Sequence, residues 1–426
     1  MTQLRVFRAG QPEFEIQLRD LALRGEQDLG AVEGTVRAIL ASVRREGDPA
    51  LASYVKQFEQ RDAHPLFERD YGGKAALEQV SPEVREALKL AHQRIRGYHL
   101  RQAEKLGSFE YTEDGVFLAS RVNPLASVGV YAPGGKATYP SSVLMTAVVA
   151  QVAGVPEIIL ACPSPSAEVR AAAYLSGVTG LLNAGGAQAV AALAYGTQTV
   201  PRVAKIVGPG NLYVTCAKRL VFGDVAIDGL AGPSEILVVA DETADPKVVA
   251  ADLLSQAEHD EAAYPLLVCS DAGLLEQIQS ELALALEALP RRDIAQASVA
   301  AHGVAFLVSN RTELARVADL LAVEHVSLQC ADARALAVQV RHAGAIFMGH
   351  ATPEAAGDYV AGPSHVLPTG GAARFGAPLG VYDFVSRTSL IEYSPAALAA
   401  HAPAITALAT AEGLEAHGRA VQVRLR

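Results

Sequence analysis

Apolar positions fall into two textures along the chain. Up to about residue 120 they recur mainly at helical spacing. Ser81-Pro82-Glu83 supplies an N-cap, a first-turn proline and an early acid ahead of a periodic stretch to about Gln102. From Ser127, short β-branched runs alternate with helical stretches. Strands are predicted over Ser127–Ala132, Glu157–Cys162, Val178–Asn183 and Lys205–Val207, with helices over Ser141–Ala153, Glu168–Leu175 and Ala187–Tyr195. Such alternation predicts βαβ units on a parallel sheet. After the turn Ala231-Gly232-Pro233-Ser234 a second set begins, with strands over Glu235–Ala240, Pro265–Ser270, Val304–Val308, His325–Cys330 and Ala345–Met348. Two α/β units in series follow. From Pro378 the pattern predicts loop and helix only, too short for a core of its own, so the tail is expected to pack on something else, such as a partner subunit.

Composition narrows the function. Half of the 426 residues are hydrophobic, Trp is absent, and the formal net charge is −10. A nucleic-acid binder needs basic patches, which this balance argues against, as it does against docking on anionic membranes. The four cysteines, Cys162, Cys216, Cys269 and Cys330, form no CxxC pair, so spacing indicates neither a thiolate zinc site nor a redox dithiol. Neither a signal-peptide h-region nor an unbroken apolar span is present, and a reducing cytoplasm is the simplest compartment.

Several clusters could carry chemistry. Three glycine-rich runs each sit between a predicted strand and helix: Gly129 to Lys136, Gly185-Gly186-Ala187-Gln188 and Gly208-Pro209-Gly210-Asn211. Each is explained as a tight βα turn, but three on one sheet suggest a ligand crevice where backbone N–H groups meet a phosphate. On the predicted helix Pro246–Glu258, Val248, Val249, Leu253 and Leu254 mark a buried face. Gln256 and His259, three apart at its end, face one way and can share a metal; a terminal His also suits the helix dipole. Glu324-His325 pairs an acid with an imidazole at a strand's mouth, where water activation and proton relay are possible, as is a solvated Glu beside a capping His. Asp358 and His365 lie in a Gly/Pro-rich segment, and Glu412 and His417 in the polar tail.

Together the runs GVYAPGGKATYPSSVLM, GGAQAVAALAYGT, KIVGPGN, AGPSEILVVAD, DLLSQAEH, GDYVAGPSHVLPT and EGLEAH resemble the L-histidinol dehydrogenase family, from about residue 30 to the C-terminus. The resemblance implies two Rossmann-like, incompletely doubly wound α/β domains with helical N-terminal and C-terminal dimerisation segments. Its expected limits are an N-terminal segment 1–25, a discontinuous domain of 26–125 with 235–377, an NAD-binding domain 126–234 and a tail 378–426. It implies one zinc per active site on Gln256, His259, Asp358 and His417, the last from the other subunit of a homodimer. It further implies Glu324 and His325 as the catalytic pair, NAD contacts at Tyr131, Gln188 and Asn211, and substrate contacts at Ser234, His365 and Glu412 besides His325 and the metal ligands. The implied reaction, the last step of histidine biosynthesis, oxidises L-histidinol to L-histidine through an aldehyde with two NAD. Departures from the family pattern are Val323 before Glu-His, Ser364 before His365, Val149 and Ala204. The alternatives are a related dehydrogenase of another small alcohol such as a sulfonated diol, a zinc hydrolase, and a non-catalytic α/β binding protein.

Overall fold

The computed structural model describes residues 3–24, 29–134 and 139–425. Gly135 and Lys136 of the first glycine-rich run lie outside the described residues. Among the described residues the strands form two six-stranded sheets and a three-stranded one. The first sheet runs Phe67–Glu68, Gly180–Leu182, Glu157–Ala161, Ser127–Tyr131, Lys205–Val207 and Ala226–Ile227. All its pairings are parallel except that of the edge strand Phe67–Glu68. The second sheet runs Arg5–Arg8, Val304–Leu307, Tyr264–Cys269, Glu235–Ala240, His325–Gln329 and Ala345–Met348, all parallel.

Both sheets repeat one order. Counted in chain order from Ser127 in the first and Glu235 in the second, the strands lie third, second, first, fourth, fifth. Each sheet therefore has a switch point between its first and fourth strands, where successive crossovers diverge and leave a crevice. Ser127–Tyr131, Glu157–Ala161 and Glu235–Ala240 are mostly buried apolar residues, as strands of sheets covered on both faces must be, whereas the equally buried His325–Gln329 carries polar His325, Ser327 and Gln329. The helices Pro140–Val152 and Gly186–Tyr195 cover opposite faces of the first sheet and are buried almost all round; their small residues let helix and sheet approach closely.

The predicted strands and helices of both units form within a few residues of their expected limits. The early helices do not sit where expected. Gly30–Glu46 and Asp48–Glu59 bury Val36, Val43, Leu51 and Val55 against the first sheet, and Pro82–Ala103 buries Leu88 and Ile95 on its other face. Residues 30–103 thus pack mainly on the 127–227 sheet, and they touch 235–377 through Arg94, which donates to the carbonyls of Val360 and Ala361. Conversely, the N-terminal strand Arg5–Arg8 pairs with Val304–Leu307, and the helix Pro12–Ala22 buries Phe14, Leu18 and Leu21 in the second unit. An amphipathic face says that a helix needs a partner, not which one.

The tail is corrected too. Beyond helices it contributes the strand Val385–Tyr393, antiparallel to Val116–Pro124, which also pairs with Phe109–Glu113. This small sheet is largely exposed, so no buried alternation announced it. The four cysteines are buried and unpaired, and among the described residues no helix is long and apolar enough to cross a membrane.

Candidate active site

The switch point of the first sheet opens into a cavity of about 710 Å³ lined by Tyr131, Gly134, Gly185, Gly186, Gln188 and Asn211. One residue from each glycine-rich turn therefore meets the others in one crevice. The hydroxyl of Tyr131 accepts the Gly186 N–H at 3.0 Å, and burial pushes that phenol up to about 12. Asn211 caps the helix Leu212–Val221, its Oδ1 accepting the N–H groups of Tyr213 and Val214 at 3.1 and 3.2 Å. Gly208 turns the chain with φ +113°, and a Cβ there would fall 2.2 Å from the Tyr131 carbonyl oxygen. The turn is held by Asp228, which accepts the Gly208 N–H at 2.7 Å, and by Lys218, which donates to its carbonyl at 2.9 Å.

A second group of polar residues gathers at the opposite, N-terminal end of the second sheet's central strands. Ser234 and Glu235 open one strand, and Glu324 and His325 open its neighbour. The Nδ1–H of His325 donates to the Glu235 carbonyl at 3.0 Å, since a carbonyl can only accept. That bond fixes the tautomer and leaves Nε2 as the basic nitrogen. Facing it at 3.6 Å is Oε1 of Glu354, a residue absent from the sequence expectations. Glu354 precedes Asp358 by one helical turn, and ligand atoms of His325, Glu354 and Asp358 all lie within 4.8 Å of one another. The i, i+4 spacing of the two acids was the available signal.

Gln256 lies in the last turn of the helix Pro246–Ala257 and His259 in the turn just after it, with the Gln256 Nε2 lying 3.4 Å from the His259 Nδ1. Its Oε1 is buried with no hydrogen-bond partner. Asp358 faces His365, whose Nδ1 lies 3.2 Å from the Asp358 carbonyl and 3.6 Å from its carboxylate. His365 is steadied by the residue before it. Buried Ser364 donates to the Met145 carbonyl at 2.8 Å and accepts the Val366 N–H at 3.2 Å, so this departure from the family pattern braces the loop. Val323 is wholly buried and accepts the Gly344 N–H at 3.0 Å, so the Glu-His pair is anchored without a proline.

The electrostatics follow from burial. Burial drives the His325 imidazole down to about 4, opposed in part by Asp358. Burial, with Glu235 nearby, holds the Glu324 carboxyl well above the carboxylate range, and burial with Asp358 lifts Glu354 to about 8. For Asp358, burial pushes upward, but His365 and the other nearby imidazoles outweigh it and hold the carboxyl low. The ionised Asp358 carboxylate, the His259 imidazole that helps to hold it low and the orphaned buried amide oxygen of Gln256 are the kind of oxygen- and nitrogen-rich donors that suit a catalytic zinc. Glu412 and His417 are exposed in the tail, and among the described residues no side-chain hydrogen bond or ion pair links them to this centre.

Comparison with known proteins agrees. The family described as histidinol dehydrogenase matches residues 22–425. A histidinol dehydrogenase of Chromobacterium violaceum is 49% identical over 425 residues, covering 98% of each chain, and one of Aquifex aeolicus is 48% identical over 413 residues, covering 96% of each. The crystal structure of histidinol dehydrogenase from Elizabethkingia anophelis superposes with a TM-score of 0.93 at 32% identity, covering 100% of this chain and 98% of that one. The expected mixed α/β fold with parallel sheets is the one observed, and this chain belongs to the histidinol dehydrogenase family.

Proposed function

We infer that the group around His325 oxidises L-histidinol to L-histidine with zinc and two NAD, the activity of the family. Each hydride leaves for NAD as one proton leaves the substrate oxygen, and a water enters between the two oxidations, so the alcohol becomes an aldehyde, its hydrate and then the carboxylic acid, which gives up a third proton as the carboxylate forms. The observation that carries this reading is the fixed tautomer of His325. With Nδ1–H bonded to Glu235, its Nε2 is a neutral, buried base for the proton released at each step. Glu324 activates the water. Its raised proton affinity makes its ionised form a stronger base than an ordinary carboxylate.

Gln256, His259, Asp358 and His417 of the partner subunit would hold the zinc, which supplies a cation that orients the amino alcohol through its nitrogens. His365 and Asp358 flank the substrate, with Ser234 and Glu412 completing its contacts. Tyr131, Gln188 and Asn211 hold NAD in the crevice of the first sheet. The doubly wound strand order supports reading residues 127–227 as a Rossmann-like dinucleotide unit and 235–348 as its catalytic counterpart. The assembly is a homodimer with shared sites, a reading supported by the exposed position of Glu412 and His417 and by the exposure of Phe109, Tyr111 and Ile391 on the small sheet and of Leu408 on the tail.

Relatives named as histidinol dehydrogenases favour this substrate over a sulfonated diol. Purified protein with zinc, NAD and histidinol is expected to yield two NADH per substrate. One NADH with aldehyde accumulating would overturn the four-electron route.

A further inference from the structure

Beneath the Glu324-His325 pair lies an ion pair that the reaction as described does not use. Arg24 and Glu235 are almost wholly removed from solvent, with side-chain exposures of 2% and 1%. The contact is bidentate. Arg24 Nε donates to Oε1 at 2.8 Å and Nη2 to Oε2 at 2.6 Å, while Nη1 donates to the carbonyls of Leu21 and Leu321 at 2.8 and 2.7 Å. The carboxylate also accepts the N–H groups of Gly370 at 2.8 Å and Glu324 at 3.2 Å. Four donors from three distant segments therefore fix one carboxylate.

The backbone of Glu235 turns that fixity towards the chemistry. Its N–H donates to Glu324 Oε2 at 3.0 Å, and its carbonyl accepts the His325 Nδ1–H at 3.0 Å. Glu235 and Glu324 thus each bind the other's main-chain N–H with a side-chain oxygen, a reciprocal lock across the start of two adjacent strands. A buried ion pair is a poor device for stability alone, because well-packed apolar residues of similar volume serve as well or better. What it supplies is direction: a guanidinium fork and a carboxylate meet in one plane, at one angle.

We propose that Arg24 and Glu235 are positioning residues that aim Glu324 and His325 and hold His325 in the tautomer with Nε2 free. The proposal rests on reading Glu324 and His325 as the proton-handling pair. No substrate contact is assigned to either residue. Their effect is to keep two side chains at hydrogen-bond distances whose loosening by an ångström would cost rate rather than binding.

Two zinc-loaded full-length variants test it. Arg24→Lys keeps the charge but loses the fork, and Arg24→Met with Glu235→Gln removes both charges while keeping the volume. Expected is a fall in kcat of about tenfold or more, with KM for histidinol and zinc per chain within about twofold of wild type. In ¹⁵N spectra of histidine-labelled protein, the His325 signals, assigned by their loss in His325→Asn, should move from a single tautomer towards an exchange average. A kcat within twofold of wild type in either folded variant would overturn the proposal. So would a loss of kcat accompanied by unchanged His325 signals. Wild-type turnover in His325→Asn would instead remove the reading on which the proposal rests, and the two failures are separable.

Discussion

Nε2 of His325 and Oε1 of Glu354, both on buried side chains, lie 3.6 Å apart, and that oxygen has no hydrogen-bond partner of its own among the described residues. When His325 takes a proton from the substrate, Glu354 is the carboxyl placed to receive the new N–H. The other oxygen of Glu354 is held by the Ser255 hydroxyl at 3.2 Å, so the acid is already oriented. Glu354→Gln keeps the shape but cannot pair with an imidazolium as a charge. Its kcat is expected to fall about tenfold or more, within the range that a lost proton-transfer partner costs. Steady-state kinetics with saturating histidinol and NAD would show this, and an unchanged kcat would exclude Glu354 from supporting the base.

His325→Asn removes the base while retaining an amide able to donate to the Glu235 carbonyl. Turnover is expected to vanish, with zinc and histidinol still bound, because neither depends on Nε2 accepting a proton. Calorimetric titration of histidinol into the zinc-loaded variant checks the binding half of this statement. Retained wild-type rate would take His325 out of the base role.

Burial that lowers the imidazole of His325 from its usual 6.5 to about 4 also links folding to pH. Between those values the unfolded chain binds a proton at this residue and the folded one does not. Stability is therefore fully present above pH 6.5 and declines as pH falls towards 4. At about 1.4 kcal/mol per unit, wild type should lose about 3 kcal/mol more than His325→Asn between pH 7 and pH 4.5. Urea unfolding of the zinc-free proteins at the two pH values measures this difference, and equal losses would contradict it.

What the sequence revealed depended on how local each signal was. Strands such as Glu157–Ala161 and Glu235–Ala240 announce themselves because a parallel strand buries both faces. The i, i+3 pair Gln256 and His259 was visible because three residues of chain at a helix end span a short distance, although His259 itself lies in the turn just past the helix. Val385–Tyr393 was not, since it is mostly exposed and its partner Val116–Pro124 lies far away in the chain. Arg24 meets Glu235 across 211 residues, a contact that no local pattern encodes. The end of the sheet at which this chemistry gathers was legible, because the predicted strand His325–Cys330 already put Glu324 and His325 at its start. In the first unit the crevice opens at the strands' C-terminal ends, whereas Glu324 and His325 open their strand at its N-terminal end.

Gly208→Ala tests the cofactor crevice through backbone geometry. The residue needs φ +113°, and an added Cβ would meet the Tyr131 carbonyl oxygen at 2.2 Å, so the turn must shift. Strain of this kind is worth about 1–3 kcal/mol. The shift would move Asn211, three residues on, and with it the turn against Tyr131. KM for NAD is expected to rise several-fold with zinc content unchanged. Thermal unfolding and NAD titration together check it; an unaltered KM would argue that this turn does not contact the cofactor.

The tail offers the sharpest test of assembly. His417 and Glu412 are exposed, whereas Glu324 is buried. If the tail completes the neighbour's site, His417→Ala damages the partner's centre and Glu324→Gln damages its own. A mixed dimer of one His417→Ala and one Glu324→Gln chain then carries both lesions in one site and none in the other. Random mixing of two inactive homodimers gives half of the dimers as hybrids, each with one intact site of two, so activity should recover towards about a quarter of wild type. Zinc retained per dimer should stay constant through the exchange while activity rises, because mixing conserves the number of intact His417 tails. Absence of recovery after verified subunit exchange would mean that each chain builds its site alone, and His417 would have to be reached by its own tail.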